Sequence, residues 1–269
     1  MKTTKCTVAA VQMVSTPEVD ENIATARRLV GEAAARGATL VTLPEYWPIM
    51  GMTDRDKVAH AEQPGGGPIQ DALSGLAREH GIWLIGGTLP LVSGIAARVL
   101  NTTLVYDPQG RHVGRYDKIH LFGFSKGDES YDEARTIVPG ETIGSFDAPF
   151  GKVGLAICYD LRFPELFRAM GECALIVVPA AFTHTTGLAH WEVLLRARAI
   201  ENQCYVLASA QGGTHRNGRR TFGHSMLIDP WGEVKDVLPE GEGVVSGDID
   251  PAYIASVRES LPALKHRKM

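Results

Sequence analysis

The sequence predicts an α/β fold of four layers, two β-sheets face to face with helices outside both, formed as a single domain over residues 1–269. Three observations predict it. Residues 7–43 read strand, helix, strand, the pattern of a βαβ unit and hence of a parallel sheet. Runs such as Ile82–Gly87, Val153–Ile157 and Ala174–Pro179 are too uniformly apolar to leave one face in water, so each needs cover on both sides. Two Asp-Pro-x-Gly turns, Asp107-Pro108-Gln109-Gly110 and Asp229-Pro230-Trp231-Gly232, divide the chain into two halves, each of strands and helices followed by a hairpin.

In order, Thr7–Val14 is a strand that turns at Pro17. Asp20 is placed to cap a helix whose buried face is Ile23, Ala26, Leu29, Val30, Ala33 and Ala34. Gly37 ends that helix, and Ala38–Leu43 is the next strand. Gln63–Pro68 is a loop, and Ile69–His80 is a helix with Ile69, Leu73, Leu76 and Ala77 on one face, stopped by Gly81. The strand Ile82–Gly87 follows, and then Val99–Tyr106 and Arg111–Tyr116 form the first hairpin. Gly123–Pro139 is polar and without period, which reads as a long functional loop. The strand Val153–Ile157 leads through a polar turn into a helix from Phe163-Pro164-Glu165 to Met170, proline being tolerated in a first helical turn. Ala174–Pro179 is a strand, Ala180–Gly187 a loop, His190–Asn202 a helix, Cys204–Ala210 a strand and Gln211–Arg220 a loop. Phe222–Ile228 and Val244–Ile249 read as the arms of the second hairpin, and Pro251–Val257 as a closing helix.

Hydrophobic residues at 44%, charged residues at 22% and a net charge of −4 describe an ordinary soluble globular chain. The acidic balance argues against nucleic acid or an anionic membrane surface as main partner. Lys265-His266-Arg267-Lys268 is short and reads as a solvated tail. Met1-Lys2-Thr3-Thr4-Lys5 enters the first strand without the profile of a secretory leader, and no apolar run approaches the roughly 20 residues of a membrane span. The four cysteines, Cys6, Cys158, Cys173 and Cys204, lie far apart with no C-x-x-C pair and no zinc-like spacing, which points to reduced thiols and a cytoplasmic location.

Three residues carry chemical interest. Cys158 falls where a buried strand ends and a helix begins, the place where open α/β sheets bind ligands and where a thiolate gains from the helix N-terminus. Glu45 stands at the tip of an apolar strand, either a first loop residue or a carboxylate with a buried partner. Lys118 follows the outgoing arm of the first hairpin. A cysteine, a general base and a cation are a kit for acyl transfer, but no spacing rule assembles residues so far apart.

Their sequence contexts do. Leu43-Pro44-Glu45, Tyr116-Asp117-Lys118-Ile119-His120-Leu121-Phe122 and Gly154–Glu165 resemble the three signature blocks of the nitrilase superfamily of carbon–nitrogen hydrolases. The likeness continues through His190-Trp191-Glu192, Arg196–Gln203 and Gly223-His224-Ser225 to Asp229-Pro230-Trp231-Gly232. The resemblance implies an α-β-β-α sandwich that pairs through its helices into a homodimer or larger assembly. It also implies a Glu45–Lys118–Cys158 triad working without metal or organic cofactor. A further glutamate in the loop before the Cys158 strand is expected to orient Lys118 or the substrate amide. By its distance from Pro139-Gly140 that residue is Glu133 rather than Glu129.

On this reading Glu45 takes the thiol proton and Cys158 attacks an amide carbonyl. Lys118 and the Tyr159 N–H stabilise the oxyanion, and Glu45 hands the proton to leaving ammonia before activating water on the thioester. Cys158–Glu165, Ala181-Phe182-Thr183 and the His190–Gln203 block resemble amidases acting on carboxylate-bearing substrates. The first expectation is deaminated glutathione, in metabolite repair, and the alternative is an ω-amidase acting on α-ketoglutaramate or α-ketosuccinamate. Arg162 is the candidate for the substrate carboxylate, with Phe182 and Thr183 lining the pocket. Arg216, Arg219 and Arg220 are candidates for an anionic substrate or simply a solvated loop. His120, His184, His190 and His224 are expected to be structural. Less favoured are a nitrilase, a redox protein using Cys158 as a peroxidatic thiol, which needs neither Glu45 nor Lys118, and an inactive interaction protein, which would have lost a triad member.

Overall fold

The computed structural model describes residues 5–127 and 129–268. The expectation of no leader concerns Met1–Thr4, which lie outside the described residues. Among those described, the chain forms β1 (Cys6–Gln12), α1 (Val19–Ala35), β2 (Leu40–Thr42), α2 (Asp56–Ala59), α3 (Pro68–His80), β3 (Trp83–Ile85), β4 (Leu89–Val92), β5 (Val99–Tyr106) and β6 (His112–Asp117). The short pair β7 (Gly123–Lys126) and β8 (Glu129–Asp132) comes next, followed by β9 (Gly144–Ala148) and β10 (Gly151–Leu155). The rest is α4 (Pro164–Ala169), β11 (Leu175–Ala180), α5 (His184–Asn202), β12 (Tyr205–Ala210), β13 (Ser225–Ile228), β14 (Val234–Leu238), β15 (Gly243–Ile249) and α6 (Pro251–Ser260).

Two sheets hold the strands. One runs β15-β1-β2-β3-β5-β4 with β6 added to β5, and β1, β2 and β3 are parallel. The other runs β14-β13-β12-β11-β10-β9, with β10, β11 and β12 parallel. Side chains alternate across a strand, and β1 uses both faces. Val8 and Ala10 join Leu155, Val177 and Leu207 in the core between the sheets, whereas Ala9 and Val11 pack with Ala26, Leu29, Val30 and Ala33 of α1. Leu73, Leu76 and Ala77 of α3 cover the same outer face. On the other sheet, Phe167 of α4 and Trp191, Leu195 and Ala199 of α5 supply the outer cover. The result is the predicted order of layers, helix, sheet, sheet, helix, with each fully buried Leu, Val or Phe worth about 1.5–3 kcal/mol.

The structure corrects four expectations. Gly123–Pro139 is not structureless: β7 and β8 pair from Gly123↔Asp132 to Lys126↔Glu129, and a 3₁₀ turn, Glu133–Arg135, follows. The ladder escaped notice because its residues are mostly polar and exposed, so no burial pattern marks it. Second, Val244–Ile249 is not an arm of the hairpin at Asp229–Gly232. That turn joins β13 to β14, and β15 crosses to the other sheet to pair antiparallel with β1. Val234–Leu238 is only half buried, so its apolar signal is weak. Third, α5 begins at His184, because the Thr183 hydroxyl accepts from the Thr186 N–H and caps it. Fourth, the α1 cap residue is Glu18 and Asp20 lies within the first turn.

Candidate active site

Each residue with a possible chemical role sits at the end of a strand. Beyond β2 the chain breaks at Pro44 and places Glu45 in the interior, 1% exposed, followed by Tyr46 in the left-handed region at φ 56°. A Cβ on Gly87 would stand 2.2 Å from the Pro44 carbonyl oxygen, so glycine there lets the neighbouring strand end approach this turn. Both Glu45 oxygens accept hydrogen bonds: Oε1 from Asn101 Nδ2 at 2.9 Å and Lys118 Nζ at 2.8 Å, Oε2 from the Ala181 N–H at 2.9 Å.

Lys118 follows β6 and is fully buried. Its backbone is clamped on both sides, its N–H donating to Asn101 O and its carbonyl accepting from Gly140 N. The ammonium donates to Glu45 and also to both oxygens of Glu133, at 3.0 and 2.8 Å. Glu133, at the start of the turn after β8, is itself held by the Tyr46 hydroxyl at 2.7 Å and the Phe122 N–H at 2.8 Å. One ammonium between two carboxylates leaves the cluster with a net negative charge.

Cys158 follows β10 and opens a 3₁₀ turn, Cys158–Arg162, with φ +48°, a strained conformation of the kind found at functional sites. Asp160, fully buried, holds the turn in place. Its Oδ2 accepts from the Ile157 N–H and the Tyr116 hydroxyl, and its Oδ1 from the His120 backbone N–H and contacts His120 Nδ1 at 2.7 Å. At the start of such a turn the Tyr159 N–H is one of the amides left without an intrahelical partner.

Electrostatics follow from burial and from the two carboxylates. Burial alone depresses the Lys118 ammonium, but Glu133 and then Glu45 outweigh it and hold the pKa above the ordinary lysine range. Burial, then Glu45, push the Cys158 thiol well up, with Lys118 opposing. Burial raises Glu133, yet Lys118 and the Phe122 and Tyr46 donors bring it below the usual carboxylate range. The site is arranged as a neutral thiol beside a carboxylate and a charged ammonium, which suits proton transfer coupled to nucleophilic attack.

The thiol opens onto a small pocket lined by Phe122, Glu133, Tyr159, Arg162, Phe182 and Thr183 among others. Arg162 lies over the Tyr159 and Phe182 rings, with Nη1 3.2 Å from His190 Nδ1. No cluster of three or more His, Cys, Asp or Glu among the described residues is arranged to hold a metal ion.

The carbon–nitrogen hydrolase family model matches residues 7–259. This chain belongs to the carbon–nitrogen hydrolase family. The hydrolase is 39% identical over 266 residues to the deaminated glutathione amidase of Yersinia enterocolitica, covering 97% of this chain and 92% of that protein. It is 38% identical over 267 residues to the omega-amidase NIT2 of Xenopus tropicalis, with 98% and 95% covered. Among solved structures it is similar to Saccharomyces cerevisiae Nit3, a member of the nitrilase superfamily, at 30% identity and a TM-score of 0.88, covering 98% of this chain and 97% of that one.

The fold thus brings Glu45, Lys118, Glu133 and Cys158 into one cluster and sets Tyr159, Arg162, Phe182 and Thr183 around its mouth. Glu129 stands apart, accepting from the Thr185 hydroxyl. Of the arginines offered for an anionic substrate, Arg216 pairs with Glu21 and Arg220 lies 3.7 Å from Glu240, while Arg219 lines the pocket. His120 is tied to Asp160, His190 to Arg162, and His224 stacks on Phe222. Sequence reasoning missed Asn101, Tyr46, Asp160 and the Ala181 N–H. A signal existed for Asn101, a polar residue in the apolar run VLNTTLVY, and for Asp160 between Cys158 and a helix, but only the fold shows what they face.

Proposed function

We propose that this hydrolase cleaves a carboxylate-bearing amide through a Cys158 thioester, with deaminated glutathione as the first candidate substrate. The observation that carries the reading is the Lys118 ammonium at 2.8 Å from Glu45 and at 2.8 and 3.0 Å from Glu133, beside a buried thiol at a strand–helix junction. Glu45 accepts the Cys158 proton as Sγ bonds to the amide carbon. Lys118 and the Tyr159 N–H take the oxyanion, each such donor being worth about 3–4 kcal/mol in the transition state. Glu45 then protonates the leaving nitrogen as the C–N bond breaks. Water attacks the thioester with Glu45 as base, and the C–S bond breaks to return the thiol. Glu133 positions Lys118. Arg162, with no carboxylate partner of its own in the pocket, receives the carboxylate of the acyl half in bidentate fashion.

The expected release of ammonia applies to primary amides. The γ-linked amide of deaminated glutathione is secondary, so its leaving group is the amine of cysteinylglycine. A common readout is therefore α-ketoglutarate, formed from both deaminated glutathione and α-ketoglutaramate. Faster formation from deaminated glutathione, abolished in Cys158→Ala, agrees with the proposal. Faster formation from α-ketoglutaramate, in line with the likeness to an omega-amidase, moves the substrate to the second reading, and activity that survives the substitution removes Cys158 from the mechanism.

We read residues 1–269 as one catalytic domain, supported by the match over 7–259 and by the core the two sheets share. Four free cysteines support a cytoplasmic location, and no helix among the described residues is long and apolar enough to cross a membrane. A homodimer through the outer helices is supported by Val193 and Ile200, seven residues apart on α5 and 69% and 49% exposed, with Gly232 of the second Asp-Pro-x-Gly turn packed close to Ile200.

A further inference from the structure

Beside the catalytic pocket lies a second, larger and more open basin, lined by Tyr46, Lys57, Glu129, Tyr131 and Arg219 among others. The two are neighbours: Arg219 lines both, and Tyr46, a basin residue, donates to Glu133, a pocket residue.

The basin is lined with polar groups whose partners are incomplete. Lys57, on α2, has a side chain only 13% exposed, with its ammonium 5.2 Å from the centre of the Tyr46 ring. Its carboxylate contact is Asp54 at 3.7 Å, itself 74% exposed, and Thr136 Oγ1 lies at 3.4 Å. Arg219 rests on the Tyr131 ring and donates one Nη2 bond to Ala181 O. Among the described residues, four buried side-chain polar atoms have no hydrogen-bond partner, and two of them, Arg219 Nε and Glu129 Oε2, belong to residues of this basin. Buried polar atoms are expensive to leave unpaired, so Arg219 and Glu129 are side chains that a ligand in the basin with complementary groups would draw out of their present burial. Burial also lowers the Lys57 pKa, a cost that a nearby anion relieves.

We propose that this basin binds the leaving half of the substrate, a peptide-like chain carrying an N–H and a terminal carboxylate. Lys57 and Arg219 receive the carboxylate and Glu129 the N–H. The inference rests on the amide-hydrolase reading above and sharpens it: the chain is built for secondary amides with an anionic amine portion rather than for amides that release ammonia. Lys57, Glu129 and Arg219 then set specificity without touching the reacting atoms.

The test compares kcat/KM for deaminated glutathione with that for α-ketoglutaramate, which has no leaving chain. In Lys57→Met the ratio of the two falls by about tenfold or more, through KM for deaminated glutathione, as expected for loss of a charged contact. Glu129→Gln lowers the ratio as well, and Lys57→Arg restores most of it. An equal loss on both substrates makes Lys57 a structural support of Tyr46 and overturns the inference, as does an unchanged ratio. Calorimetric titration of cysteinylglycine into Cys158→Ala separates the two readings. Saturable binding at millimolar concentration or below, weakened by a second change Lys57→Met, upholds the basin even where neither amide is turned over. Absent binding, or binding indifferent to Lys57, overturns it even where hydrolysis is fast.

Discussion

Replacing Glu133 by glutamine tests the site most sharply, because charge and shape change separately. The substitution keeps the side chain's length but removes one of two carboxylates from Lys118, whose ammonium then faces Glu45 alone at 2.8 Å. Since Lys118 retains a partner, the stability loss is not the about 3–5 kcal/mol of a severed buried ion pair. It is nearer the about 1–3 kcal/mol of one orphaned donor, because the amide nitrogen of Gln turns a donor towards either the Phe122 N–H or the Tyr46 hydroxyl. Activity falls more. Two short charge-assisted bonds fix where the ammonium points, and losing a preorganised oxyanion donor costs about 10²–10³ in kcat, so a misdirected one is expected to cost about 10². The pH profile carries the distinguishing sign. Glu133 is the largest influence holding the Lys118 pKa up against burial, so its removal lowers that pKa and moves the alkaline limb of kcat to lower pH. Steady-state kcat across neutral to alkaline pH, with thermal melts alongside, measures all three. An unmoved alkaline limb, or a kcat within twofold of wild type, refutes the argument that Glu133 acts through Lys118.

Glu45→Gln is expected to abolish hydrolysis yet speed alkylation of Cys158 by iodoacetamide, because Glu45 is the main charge raising the thiol pKa and its loss increases the thiolate fraction. Slower alkylation would show that Glu45 assists the thiol's attack as a base more than its charge opposes ionisation. Asp160→Ala orphans the Ile157 and His120 amides and the Tyr116 hydroxyl, and chemical denaturation should report a loss of about 3 kcal/mol or more. His215 is buried between Ser15 O and Thr221, and burial pushes its pKa down to about 4. Its unfolded value is higher, so its share of stability is complete above pH 6.5 and fades as pH falls towards 4, by about 3 kcal/mol in all. His215→Gln should flatten that acid limb in melts at stepped pH. Val193→Glu places a charge on the exposed face of α5 and should shift sedimentation towards the monomer.

What the sequence determined by itself was set by local rules. Strand and helix periodicity placed β1, α1, α3, β10, β11 and β12, and the apolar uniformity of the parallel strands required cover on both faces, which two packed sheets with helices outside them supply. Local context also singled out Glu45, Lys118 and Cys158, each at the end of a strand. What only tertiary structure decided depends on contacts that have no sequence period. The polar β7–β8 ladder, the crossing of β15 to β1 and the early start of α5 are fixed by partners far along the chain or by a single cap. Within the site, the strand ends meet only once the sheets pack, which is why Asn101 and Ala181 came to hold Glu45 and why Glu133, carried in by a polar hairpin, reached Lys118 while Glu129 faced the outer basin. A buried carboxylate–ammonium cluster is specified by three-dimensional proximity in a low-dielectric interior, and proximity of that kind is written in no local stretch of the chain.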